Sequence, residues 1–294
     1  MIFLDSCPIC SAAIFENFLD CKDYTTSGEI FSLKKCKNCG FTFTDPKPDE
    51  LSIGKYYLSE NYISHTGGKK NVIDAIYLLA RKIALKQKRK IIQRYSKGNS
   101  ILDFGCGTGE FLKEMKDNYW QVSGIETSPL ANAKASQINQ EKIEHDLSAF
   151  KEKSFDVITL WHVLEHVHDL NKKLKSFHSL LKESGTILIA VPNLESYDAK
   201  YYQKHWAGYD VPRHLWHFNQ LNIKQLFDKN GFKLIKTKPM KMDSFYVSLL
   251  SETYQNPSQG KIMSFGKALM QGFISNLKAR KNNNYSSLIY IAKR

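Results

Sequence analysis

Ile101-Leu102-Asp103-Phe104-Gly105-Cys106-Gly107-Thr108-Gly109-Glu110 sets a short apolar run directly against three glycines at alternate positions. Residues 100–104 carry a buried-strand pattern, and Phe111, Leu112 and Met115 fall on one face of a helix that begins at Glu110. The spacing predicts a strand that turns tightly into a helix. Residues without a Cβ let the backbone approach a bound molecule, and the free amides of the helix N-terminus point at it. The turn, more than any side chain, is the expected ligand cradle.

A dinucleotide fingerprint needs G-x-G-x-x-G, but counting from Gly105 and Gly107 the third position is Glu110. That reading fails. An acid able to grip a ribose is expected about 20 residues on, at the end of the next strand. Glu126 stands there, closing Gln121-Val122-Ser123-Gly124-Ile125-Glu126 ahead of the turn residues Thr127-Ser128-Pro129. The observed D-x-G-x-G-x-G, with Glu126 behind it, resembles the cofactor motifs of class I S-adenosylmethionine (SAM)-dependent methyltransferases. The resemblance covers residues 96–294. It implies an α/β, Rossmann-like fold with a seven-stranded methyltransferase sheet and SAM as cofactor. Carried over by position, the cofactor-binding residues are Asp103, Gly105, Gly107, Gly109, Glu126, Asp146 facing the adenine, and Trp161.

Downstream the pattern alternates as α/β proteins do. Helix 131–140, a short strand 142–145, strand Phe155–Trp161 and strand 186–191 follow, then strands 232–237 and 287–292. Asn219 caps a helix at 221–229. In such sheets ligands sit beyond the carboxyl ends of the strands, which places Trp161, His162 and Val163-Leu164-Glu165-His166-Val167 near the site. That V-L-E-H-V run also resembles the superfamily, with Glu165 and His166 read first as fixing a helix start. The 192–219 connection is long for a compact domain and is expected to be functional. Between the last two strands Ile262, Phe265, Leu269, Phe273 and Leu277 recur at helical spacing, read as packing on the sheet or a partner, with a membrane-surface helix as the alternative.

At the other end stand Cys7-Pro8-Ile9-Cys10 and, after 25 intervening residues, Cys36-Lys37-Asn38-Cys39. Two such knuckles bring four thiolates round Zn²⁺ and leave no open position, so a structural zinc ribbon is expected over residues 1–45. Cys21 and Cys106 read as packing thiols. Residues 46–98 form a linker, with a tyrosine-rich stretch at 55–65 that either lids the pocket or anchors the linker, and then a basic amphipathic helix, Val72–Tyr95. The helical segment 69–98 carries ten basic residues against one acid and supplies most of the net charge of +13. That charge suits an anionic acceptor, acidic lipid or RNA, or is simply solvated. The methyltransferase domain is expected at 99–294. No apolar run reaches the roughly 18 residues of a membrane span, and the N-terminus lacks the features of a signal peptide, so the expected location is cytoplasmic.

With the Cys-rich head, the chain resembles bacterial methyltransferases with a zinc-binding segment and a Methyltransf_23-like core, some of sugar and polysaccharide biosynthesis. The implied activity is methyl transfer to a small or glycan-type acceptor, free or linked to a lipid or nucleotide. Sugar C-methyltransferases with such a head carry a further large domain that this chain is too short to hold, which puts carbon methylation of a nucleotide sugar in doubt and leaves O- or N-methylation open, with O-methylation preferred. An RNA methyltransferase holding nucleic acid by ribbon and basic helix is the rival, and it loses ground because no N/D-P-P-Y/F motif follows Phe155–Trp161. A catalytically silent SAM-fold interaction protein is the third class. A general base working near neutral pH is most readily a histidine. His214 is preferred and His162 is next, with Pro212 stiffening the loop, Arg213 pairing an anionic acceptor and Asp210 orienting the imidazole.

Overall fold

Three short strands open the chain: β1 (Phe15–Lys22), β2 (Ile30–Cys36) and β3 (Thr42–Thr44). The computed structural model describes residues 1–57 and 72–294, the side chains of 72–80 excepted; most of the 55–65 stretch expected to lid the pocket lies outside them. Helix α1 (Val72–Tyr95) leads into β4 (Ser100–Phe104), α2 (Glu110–Lys116), β5 (Gln121–Ile125), α3 (Pro129–Asn139), β6 (Phe155–Trp161), α4 (Leu170–Leu180) and β7 (Leu181–Pro192). After them come α5 (Tyr197–Tyr202), β8 (Trp216–His217), α6 (Gln220–Lys229), β9 (Lys233–Pro239), α7 (Asp243–Gln255), α8 (Lys261–Asn282) and β10 (Ser287–Lys293).

The central sheet has the order β5-β4-β6-β7-β10-β9. Strands β5, β4, β6 and β7 are parallel, and β10 runs antiparallel between β7 and β9. Continuous apolar runs such as Ile187-Leu188-Ile189-Ala190-Val191 are buried because helices cover both faces. One face packs Leu102, Ile158 and Leu160 on Leu174, Phe177 and Leu226; the other packs Ile101 and Val157 with Phe111, Met115 and Ile92 of α1.

The expected strand at 142–145 shrinks to a single parallel bridge, Ile125 to Glu144, so the sheet has six strands among the described residues where seven were expected. Helix α3 takes the adjoining backbone. Asn132 Nδ2 donates to the Ile143 carbonyl at 3.1 Å, and the Ile143 amide donates to Ser136 Oγ at 3.3 Å. Helix α8 also departs from its expected packing on the sheet. It rests on α7 and α5 through small residues and leaves Ile262, Phe265, Leu269, Phe273 and Leu277 exposed. Among the described residues, no helix is long and apolar enough to cross a membrane.

The N-terminal strands do not form a free-standing head. Their sheet has the order β1-β2-β3-β8, and the last strand comes from the loop after β7. Thr44 joins the two parts, its amide donating to the Leu215 carbonyl at 3.0 Å and its hydroxyl to the His214 carbonyl at 2.8 Å. Beside this seam Arg213 is 1% exposed, donating to Asp23 at 3.1 Å, to Asp210 at 2.6 Å and to the Tyr56 carbonyl at 2.9 Å. The expectation that Arg213 pairs with an anionic acceptor is therefore corrected: its guanidinium is spent on Asp210, on Asp23 and on the hairpin turn, while Asp210 Oδ2 also lies 3.9 Å from His214 Nε2. Removing one partner of a buried ion pair leaves the others uncompensated, and Arg213→Met should cost about 3–5 kcal/mol in denaturant unfolding of the full chain. A loss under about 1 kcal/mol, the range of an exposed pair, would show that the network does not brace the loop.

Candidate active site

The backbone after β4 turns through φ angles of 73° at Gly105, 56° at Gly107 and 83° at Gly109, a region that favours glycine. The three positions differ in what a side chain would meet. A Cβ on Gly105 would lie 2.6 Å from Val163 Cγ2, and one on Gly109 would lie 2.5 Å from Asn139 Nδ2 and 2.9 Å from Ala135 Cα, whereas one on Gly107 would meet nothing within 4 Å. Gly105 and Gly109 thus permit close packing. Gly107 is the open position, and its face is left for a ligand.

Glu126 holds this turn to the next strand end. Its carboxylate accepts from the Gly107 amide at 2.9 Å and from the Ser128 amide at 2.8 Å. Each oxygen keeps a further lone pair that a ribose hydroxyl can use. Asp103 lies beneath the turn, buried, with Thr159 Oγ1 donating to it at 2.6 Å. Burial pushes its carboxyl up to about 7, against the Thr159 hydrogen bond and the charge of Lys88. Asp146 is exposed and caps a short turn by accepting from the Ser148 amide at 2.8 Å, two residues beyond the Glu144 bridge.

Helix α1 lies along α2. Arg81 pairs with Glu110 and Arg89 with Glu114, each at 2.8 Å, and Lys88 Nζ sits 4.3 Å from the centre of the Trp161 ring. Trp161 meets Phe111 edge-on at 5.4 Å, and its indole N–H is buried with no hydrogen-bond partner among the described residues. Trp161 does stand at the end of β6 as expected, but Lys88 covers one ring face. Part of the basic charge of α1 is spent inside the domain.

Beyond β6 a cluster of histidines and carboxylates closes the site. His162 has φ 58°, and its Nε2 lies 2.9 Å from Asp243 Oδ2, with Nδ1 3.4 Å from Glu165 Oε1. Burial works against a charged imidazole, but the two carboxylates outweigh it and push His162 up to about 10. His214 Nδ1 lies 2.9 Å from the Gly208 carbonyl. A carbonyl only accepts, so Nδ1 donates to it. The His214 Nε2 is 4.0 Å from Glu165 Oε1 and 3.9 Å from Asp210 Oδ2. His166 stacks edge-on at 4.7 Å from His214, and burial, with His214 beside it, pushes its imidazole down to about 4. Glu165 is fully buried, and neither carboxylate oxygen has a hydrogen-bond partner among the described residues. The other loop histidines do not reach the cluster: His217 meets Thr44 Oγ1 at 3.1 Å and His205 packs on Tyr24. Lys88 was read from sequence only as part of the basic helix, and Asp243 was not singled out; nothing local signals their places beside Trp161 and His162.

The four cysteines of the knuckles also come together. Cys7 and Cys39 Sγ are 3.6 Å apart, Cys10 and Cys36 Sγ 3.5 Å, and all four lie within 4.8 Å of one another. A tetrahedron with Zn–S bonds of about 2.3 Å has edges of about 3.8 Å, so the donor set fits a zinc ion. Core helix α6 holds the knuckles, Asn222 donating to the Cys39 carbonyl at 3.1 Å and Lys229 to the Pro8 carbonyl at 2.8 Å. Cys21 and Cys106 are buried, as expected of packing thiols.

A parallel sheet with a glycine turn and an acid at the ends of adjacent strands, and one antiparallel strand slotted in near its far edge, defines the class I SAM-dependent methyltransferase fold. Residues 78–237 match the methyltransferase-domain family Methyltransf_23, and the chain belongs to that family. The uncharacterized protein MJ1252 of Methanocaldococcus jannaschii is 33% identical over 120 residues, 39% of this chain and 45% of that protein. The ubiquinone biosynthesis O-methyltransferase of Pseudomonas syringae pv. tomato is 30% identical over 105 residues, 33% of this chain and 45% of that enzyme. The chain thus matches less than half the length of these curated relatives. In fold, it is similar to the magnesium protoporphyrin IX methyltransferase of Synechocystis, with TM-score 0.54 and 14% identity over 84% of this chain and all of that one. A SAM-dependent methyltransferase of Archaeoglobus fulgidus gives TM-score 0.50 at 21% identity, over 73% of this chain and 94% of that one.

If Gly107 faces the cofactor and Glu126 holds both turn and ribose, calorimetric titration with SAM should show no binding to Gly107→Arg. Glu126→Ala, which loses charge-assisted hydrogen bonds, should bind at least about tenfold more weakly than wild type. Equal affinity in the three proteins would remove the turn from the cofactor site.

Proposed function

We propose that the protein transfers a methyl group from SAM to a hydroxyl of a small-molecule or glycan-type acceptor, with His214 as the general base. The observation that carries this reading is the place of His214, whose Nδ1 is held 2.9 Å from the Gly208 carbonyl and whose Nε2 lies 4.0 Å from the fully buried carboxylate of Glu165. SAM supplies an activated methyl, so the protein mainly provides alignment and takes up the acceptor's proton. In the proposed step His214 Nε2 accepts that proton, and Glu165, held ionised despite burial by its histidine neighbours, stabilises the imidazolium at 4.0 Å. His162, the second candidate, is already paired with Asp243 and Glu165; its role in this reading is a fixed positive charge. Asp103, Gly105, Gly107, Gly109, Glu126, Asp146 and Trp161 are proposed to bind the cofactor, and Cys7, Cys10, Cys36 and Cys39 to hold a structural zinc.

The relatives named ubiquinone biosynthesis O-methyltransferases support oxygen as the acceptor atom. Arg213, the loop residue assigned to an anionic acceptor, is buried in the hairpin network, so the basic helix α1 is the remaining ground for one. The rival RNA reading weakens on two counts. Arg81 and Arg89 pair with glutamates of α2, and the zinc-type sheet is occupied with bracing the 210–217 loop.

Once an acceptor is in hand, His214→Asn should lower kcat by about 10² to 10⁴, the usual span for lost general-base help, with SAM affinity unchanged. Activity within about threefold of wild type would move proton transfer to another group. For the cysteine site, metal analysis of protein made without chelator should find close to one zinc per chain, and prolonged chelation should lower the unfolding temperature. Less than about a tenth of an equivalent, with unfolding indifferent to chelator, would leave the knuckles as plain thiol packing.

A further inference from the structure

Helix α8 is built inside out. Its buried face is small or polar, made of Ser264, Ala268, Gln271, Gly272, Ser275 and Ala279. Its large apolar side chains point away from the protein: Ile262 is 90% exposed, Phe265 52% and Phe273 57%, with Met263, Leu269, Met270 and Leu277 also exposed. The small face has a packing reason. A Cβ on Gly272 would lie 2.7 Å from Phe245 Cδ1 of α7, and Ser244 Oγ donates to the Gly272 carbonyl at 3.1 Å. Ser275 donates to buried Asp198 at 2.7 Å. Helix α7 follows the same rule, burying Ser244, Ser248 and Ser251 while Met242 and Tyr246 are exposed. The face so formed joins seven large apolar side chains on α8 alone, more than scattered surface residues account for.

The charges on this helix select the occupant. Between Lys261 and Asn282 there are five basic residues, Lys261, Lys267, Lys278, Arg280 and Lys281, all exposed, and no acid. A second copy of the chain seated on this face would bring two such helices together with no carboxylate on either to offset them. An anionic lipid surface accepts both components, with apolar side chains at the acyl boundary and lysines among the headgroups. At about 1.5 Å per residue the helix is some 33 Å long, enough to lie in the interface plane as a continuous apolar stripe. We propose that α8, with the start of α7, seats this protein on the surface of an anionic bilayer. The seating needs neither zinc nor an identified acceptor, and stands apart from the catalytic reading.

Flotation of the full chain with vesicles tests it, comparing phosphatidylcholine mixed with phosphatidylglycerol against phosphatidylcholine alone. Wild type should bind the anionic vesicles at least about tenfold more tightly, as expected when several basic residues meet a charged surface. Ile262→Ser/Phe265→Ser/Phe273→Ser should lose that binding, as should Lys261→Glu/Lys267→Glu/Lys281→Glu. Both variants should keep the wild-type SAM affinity and unfolding temperature, because none of these side chains enters the core. The proposal is overturned if wild type floats with neither vesicle, if it binds the two alike, or if the serine variant binds as wild type does. It is also overturned if light scattering shows a dimer that the serine variant dissolves, which would make the face a contact between copies.

Discussion

Arg213 reaches from the loop after β7 into the turn of the N-terminal hairpin, where Asp23 meets it on one side and Asp210 on the other. Taking a guanidinium out of water costs several kcal/mol unless its donors are satisfied, so the loop can hold this residue only with the hairpin in place. The next residue in the chain is His214, and the two after that lead into β8, the fourth strand of the hairpin's own sheet. One buried cation therefore fixes the backbone on which the histidine of the proposed site stands. The cysteine knuckles continue the same brace, since α6 grips their carbonyls through Asn222 and Lys229. On this arrangement the N-terminal segment works as a strut for the loop that carries His214, and a metal ion there would act on that loop only through rigidity.

What could be read from sequence was what depends on near neighbours. The glycine turn and Glu126 are separated by one helix and one strand, and their pairing follows from the repeat length of an αβ unit. The strands were legible because a sheet covered on both faces needs continuous apolar runs. The 142–145 edge was not, because its pairing was lost to side chains of α3 that no strand pattern reports. The neighbours of His214 were only partly legible: Arg213 points into the hairpin network, Asp210 stays 3.9 Å from the imidazole, and Glu165 and His166 reach it from the run after β6. Asp243 lies 81 residues from His162, beyond the reach of any local spacing. Helical periodicity in α8 located an apolar stripe, but periodicity does not say which face turns inward. The small residues opposite the stripe decide that, because only they allow α7 to approach.

Helix α7 connects surface and site through a single rigid element. Its first residue, Asp243, holds His162 at 2.9 Å, and the residue before it, Met242, is 57% exposed at the edge of the apolar face. A hydrogen bond weakens steeply once its atoms move beyond about 3.5 Å, so a shift of α7 by well under one helical turn is enough to release His162. With Asp243 withdrawn, burial would pull the imidazole back toward its neutral form and leave Glu165 without its nearest cation.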